Sequence, residues 1–205
     1  DDRIAVFLKN TLRKRFDITP ESAGSKKGTF LYDTDYIVTG NNVKIPNNIA
    51  YYPFSDVICT RNGDLYIIDN VTLPAIQCYV PESFGEGSFP MLAVTNDLED
   101  VDFAFRNVCG AMKLQLKGTQ KVTSVKIEGN NYERLAGEAV ITAYADGSKP
   151  GISMAFSAST SVTLTCPEGV LLDENTATEF IISLPPTVFT QGFTVTVTDN
   201  DGKTY

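Results

Sequence analysis

Carboxylates are the most abundant ionisable groups here: 25 Asp and Glu against 17 Lys and Arg, with no histidine at all. One cluster, Asp97, Glu99, Asp100 and Asp102, offers the oxygen ligands that hard cations take. Its spacing does not follow an EF-hand loop, and a solvated turn is the expected role. A second run, Asp199-Asn200-Asp201-Gly202, looks like a calcium-loop fragment, but Val197 and Thr198 occupy the ligand positions before it. A β-turn is therefore expected there. A glycosidase would need two carboxylates flanking a cleft, and 25 acidic residues supply neighbours by number alone, so no pair stands out. Lack of histidine removes Ser-His-Asp and Cys-His machinery and the commonest metal ligand. No glycine-rich phosphate loop and no nucleophile elbow appears. No catalytic, cofactor-binding or metal-binding residue is assigned, and no cofactor is expected.

Other side chains carry weaker signals. Cys59, Cys78, Cys109 and Cys166 form no C-x-x-C, which excludes zinc-ribbon and thioredoxin-like readings. Four buried thiols are expected, with the pairing state left open. Tyr32, Tyr36, Tyr51, Tyr52, Tyr66 and Tyr79 crowd the N-terminal half and would suit a sugar-stacking surface. Tyrosine rings more often pack on a core with a wet hydroxyl. Asn70-Val71-Thr72 matches the N-glycosylation triplet. Arg13, Lys14, Arg15, Lys26 and Lys27 read as exposed loops, with Arg13 and Arg15 as protease-sensitive positions.

These side chains must be positioned by strands. The chain is 205 residues long, 42% hydrophobic and 20% charged, an ordinary packed composition. The net charge of −8 argues against nucleic acid and anionic membrane surfaces as main partners. No apolar run approaches the ~18 residues that span a bilayer. The hydrophobic period is two. Met112, Leu114 and Leu116 alternate with Lys113, Gln115 and Lys117, and Phe193, Val195 and Val197 alternate with threonines. Val122–Glu128, Ala139–Tyr144 and Ser161–Thr165 behave alike, as one wet and one buried face require. Asn62-Gly63, Gly129-Asn130-Asn131, Asp146-Gly147 and Asp201-Gly202 mark the turns between them. Asp2 to Arg15 is the best helix candidate, but Ile4 to Leu8 is a β-branched apolar run.

The expected fold class is all-β, a sandwich architecture. The acidic stretch Thr95 to Asp100 suggests a boundary, giving domains 1–100 and 101–205. Ile4 stands at the start of a strand pattern, and only Lys203-Thr204-Tyr205 follow the last turn. The first strand of one domain and the last of the other are expected to be missing. Edges so exposed bind strands. The expected partner-strand edges are Phe193, Val195 and Val197 in one strand, and Ile4 and Val6 in the other.

Several segments resemble the fimbrillin family. Ala50-Tyr51-Tyr52-Pro53-Phe54 is similar to its "YPY"-type segment, and Pro90-Met91-Leu92-Ala93 to its "PMxA" segment. The series Phe105-Arg106-Asn107-Val108-Cys109-Gly110-Ala111-Met112-Lys113-Leu114-Gln115-Leu116-Lys117-Gly118, then Val122 to Gly129 and Leu135-Ala136-Gly137, resembles the opening of the second domain of fimbrillin-like lipoproteins. The resemblance covers residues 50 to 140. It implies two tandem transthyretin-like, Greek-key β-sandwiches, exported as a lipoprotein to the outer membrane of anaerobic gut or oral bacteria. It further implies adhesive pili whose subunits join by strand complementation after proteolytic removal of an N-terminal strand. The partners would be other pilin subunits and a surface receptor, with membrane contact only through a lipid anchor that this sequence does not contain. A surface glycan-binding module and a secreted hydrolase are the alternatives.

Overall fold

The computed structural model describes residues 2–8, 13–22, 24–36 and 45–205. Strands dominate: β1 (Arg3–Phe7), β2 (Arg13–Ile18), β3 (Phe30–Tyr32), β4 (Ile49–Tyr52), β5 (Ile58–Asn62), β6 (Leu65–Leu73), β7 (Ile76–Cys78) and β8 (Met91–Val94). They continue with β9 (Arg106–Asn107), β10 (Gly110–Leu116), β11 (Lys121–Gly129), β12 (Gly137–Tyr144), β13 (Gly151–Met154), β14 (Ser161–Leu171), β15 (Thr178–Leu184) and β16 (Phe193–Asp199). The described residues hold no α-helix, only a 3-10 turn at Pro20–Ser22. None of their helices is long and apolar enough to cross a membrane.

The chain forms two compact units, each assembled from three stretches rather than from contiguous halves. The first takes Asp1–Val71, Pro90–Val108 and Val140–Ser153. The second takes Thr72–Phe89, Cys109–Ala139 and Met154–Tyr205. The expected halves 1–100 and 101–205 therefore do not describe these units. Local acidity at Thr95–Asp100 marks a turn, while long strands β6 and β12 carry the chain from one unit into the other.

In the first unit the sheet order is β3-β2-β1-β4-β8-β9. β1 lies inside this sheet, paired antiparallel with β2 on one side and β4 on the other. Ile4, Ala5, Val6 and Phe7 are all buried, Ile4 and Val6 against Ala50 and Ala93. A strand covered on both faces reads as a continuous apolar run. This corrects the expectation for Ile4 and Val6: they are core residues of an interior strand, not a free edge.

Arg13 and Arg15 are likewise strand residues in β2, not loop residues. Arg13 donates to Asp56 and to the Val57 carbonyl, and Arg15 to both oxygens of Asp17. β2 also pairs with β3 through Phe16, Asp17 and Ile18. Arg13 and Arg15 pair with Phe7 and Ala5 of β1, and the Arg15 carbonyl also accepts from the Asp33 N–H, so this segment is laddered strand rather than the open loop a protease needs. Lys26 and Lys27 do lie in an exposed bend.

The second unit is a sandwich of two unequal sheets, β16-β11-β14-β7 and β10-β15. Val125 and Ile127 of β11, Val162 and Leu164 of β14, and Phe180 and Ile182 of β15 share one core. A bulge between Val122 and Ser124 in β11 leaves Thr123 extra, and its hydroxyl donates to the carbonyls of Thr198 and Asp199. The bulge thereby ties β11 to the end of β16.

Candidate functional site

The side chains singled out for chemistry mostly hold turns. Asp97 accepts from the backbone N–H of Glu99 and Asp100, and Asp100 from those of Asp102 and Asn96. The Asp102 and Asn96 N–H groups hold the Asp100 carboxyl below its ordinary range. Asp146 and Asp173 close their turns in the same way. No metal-holding group of His, Cys, Asp or Glu occurs among the described residues. These local bonds fix each carboxylate in its turn.

The tyrosines do not form one surface. Tyr51 and Tyr66 are buried, and the Tyr66 hydroxyl donates to Asn47 Oδ1. Tyr79 packs on Phe180 in the core of the second unit. Tyr32 lies tilted against Phe16 under Lys14, and Tyr36 meets Phe54 edge-on. The asparagine of the glycosylation triplet, Asn70, sits exposed within β6 at φ 63°, its amide donating to the Asp56 carbonyl. All four cysteines are free thiols; Cys78 is exposed, against expectation, and the other three are buried. Burial, aided by the charge of Asp69, pushes Cys59 up to about 12. Burial alone lifts Cys166 to about 11. Burial also lifts Cys109 to about 11 against a hydrogen bond with Ser183. These are inert interior thiols.

What remains open is backbone. In the second unit a sheet of two strands, β10 and β15, faces one of four. The Gln77 side chain, buried on β7, treats the far side of β15 as a ladder. Its Nε2 donates to the Ser183 carbonyl and its Oε1 accepts the Ser183 N–H, both at 2.9 Å. Ser183 therefore points its main chain away from β10. By the alternation of an antiparallel ladder, Met112 and Leu114 exchange hydrogen bonds with Ile182 and Phe180, and their neighbours face outward. The outward main-chain groups of β10 are those of Ala111, Lys113 and Gln115, and no strand of the described residues pairs with them. On the core side Met112, Leu114 and Leu116 are only half-buried, whereas Phe180 and Ile182 across the ladder are fully buried.

β16 is the other edge. It pairs with β11 from Phe193 to Asp199 and has no strand on its far side. Part of that far side is closed by the residues after the turn. Val197 and Tyr205 exchange two main-chain hydrogen bonds, at 3.2 and 3.0 Å, and the Asp199 N–H donates to the Lys203 carbonyl. The Asp199 carboxylate clasps this segment, accepting from the N–H of Asp201 and Lys203 and from the Tyr205 hydroxyl. Alternation from Val197 turns the main-chain groups of Val195 and Phe193 outward as well. Of the three residues expected at this edge, Val197 is capped from within the chain, while Val195 and Phe193 lie beyond the cap. Sequence reading missed the β10 edge. Its signal was the alternation Met112-Leu114-Leu116, but which sheet is short of strands depends on distant pairing.

No protein-family model and no curated protein matches the sequence. Among solved structures, one described as a "putative cell adhesion protein" from Bacteroides uniformis superposes with a TM-score of 0.50 at 16% identity. The match covers 100% of this chain and 76% of that one. At that identity the likeness is one of fold: this chain folds like that Bacteroides uniformis protein.

Proposed function

We propose that this protein is a non-enzymatic structural and adhesive component of the bacterial cell surface. In this reading it is a fimbrillin-like subunit that joins other pilin subunits by strand complementation in tandem transthyretin-like domains. It reaches the outer membrane as a lipoprotein precursor, with a lipid anchor as its only membrane contact. The observation that carries the reading is the two-stranded sheet of the second unit. Its outer strand leaves main-chain groups unpaired at Ala111, Lys113 and Gln115, and three apolar side chains half-covered. A donated strand would satisfy the backbone and complete the burial. Full burial of a large apolar side chain is worth roughly 1.5–3 kcal/mol. The shared fold with the Bacteroides uniformis protein lends further support.

Substituting proline at an outward position removes a donor that no internal ladder uses. Lys113→Pro and Val195→Pro together should leave the fold intact and abolish pairing at both edges. Light scattering after size exclusion should show wild-type species growing with concentration above 22.4 kDa, and the double variant fixed at that mass. A wild-type protein that stays monomeric at all concentrations would overturn the proposal.

A further inference from the structure

The three most solvent-exposed apolar side chains among the described residues are Phe156 at 91%, Tyr132 at 81% and Val188 at 81%. Each lies on a different connection of the second unit. Tyr132 is between β11 and β12, Phe156 between β13 and β14, and Val188 between β15 and β16. The register places all three connections at one end of the larger sheet, since Gly129 of β11 pairs with Phe193 and Glu128 with Ser161. Loops held together at one end of a rigid sandwich are a common place for recognition.

The loops are braced for presentation. Tyr132 holds φ 59°, a conformation that a bulky side chain rarely takes. The neighbouring Glu133 carboxylate fixes it there, accepting from the N–H of Asn131 and of Thr190. Asn131 Nδ2 donates to the Thr190 hydroxyl, and Asn130 Nδ2 to the Gln191 carbonyl. Arg134 lies 5.2 Å from the centre of the Phe156 ring while donating to the Ala158 carbonyl. Each of these amide nitrogens has two N–H groups and spends one on the neighbouring loop, leaving the second for a ligand oxygen.

Charge and size select the partner. In a chain of net charge −8, segments 130–135, 155–159 and 185–192 contain one Glu and one Arg and are neutral. Two aromatic rings and a valine cover roughly 500 Å², below the ~800 Å² per side of a stable protein interface. A sugar needs less: an apolar C–H face laid on a ring, and hydroxyls met by amides. We infer that this three-loop tip binds neutral, uncharged glycans, with Tyr132 and Phe156 as stacking platforms and Asn130 and Asn131 meeting the hydroxyls. The inference does not depend on strand pairing.

The test is the labelled full chain on an array of neutral glycans (lactose, N-acetyllactosamine, maltose, cellobiose, mannose oligomers) and their sialylated and sulfated counterparts. The wild type is expected to bind neutral glycans. Tyr132→Ala and Phe156→Ala, both at exposed positions with unchanged melting, are expected to weaken binding about tenfold or more. Three results would overturn the inference: an array bare of neutral glycans, preference for the charged set, or binding that survives both substitutions. Equal capture of mucin before and after enzymatic deglycosylation would also overturn it, assigning the tip to protein.

Discussion

At the scale of single residues, two polar side chains do unusual structural work. Gln77 substitutes for a strand by pairing with both main-chain groups of Ser183, and both residues are buried. Gln77→Ala leaves a buried N–H and a buried carbonyl unmatched, at about 1–3 kcal/mol each. Urea unfolding should show a loss of at least about 2 kcal/mol, and a loss under 0.5 would contradict the pairing. Asp199 acts through charge. Burial opposes its ionised form, but the Lys203 N–H, the Tyr205 hydroxyl and the Asp201 N–H outweigh that and hold its carboxyl below the ordinary 3.8. A carboxyl lowered in the folded state stabilises above its unfolded value, and that contribution fades as pH falls through the folded value. The Tyr205 amide should therefore be protected at neutral pH and lose protection only below pH 3.8. Asp199→Ala should expose it at every pH. Hydrogen exchange at this amide checks both, and protection unchanged in the variant would refute the clasp.

At the scale of elements, the account turns on which backbone groups of β10 face outward. Leu114→Pro removes a ladder hydrogen bond to Phe180 and should cost at least about 1–3 kcal/mol, while Lys113→Pro should be nearly neutral. Thermal melting of the two variants decides it; equal losses would mean the alternation is misassigned. The strands themselves were legible in the sequence, because Thr-rich alternation in β14 and β16 and Asn62-Gly63 before β6 are local signals. Gly63 does take the left-handed φ of 62° that a two-residue hairpin demands. Pairing was not legible. The run Ile4–Leu8 has the same composition at an edge or in a sheet interior, and only the distant segments Arg13–Asp17 and Ile49–Tyr51 make it interior. Arg13 and Arg15 looked like loop residues because strand propensity does not register an arginine stacked on Phe54 and paired with a remote Asp56. The tip was invisible for the same reason, since its three loops lie far apart along the chain.

At the scale of the whole molecule, the proposed function rests on surfaces rather than on reactive groups. The second unit presents a two-stranded sheet whose outer strand lacks a partner among the described residues, and a neutral, ring-bearing loop end. A chain of net charge −8 repels its own copies, so the proposed edge pairing would have to rest on its main-chain and apolar terms. The direct measurement is residue-resolved hydrogen exchange of the Ala111, Lys113 and Gln115 amides across a thousandfold range of protein concentration. The account predicts fast exchange in dilute solution and rising protection of these three amides as copies associate. Exchange that stays fast at every concentration, or protection already complete in the dilute monomer, would contradict it.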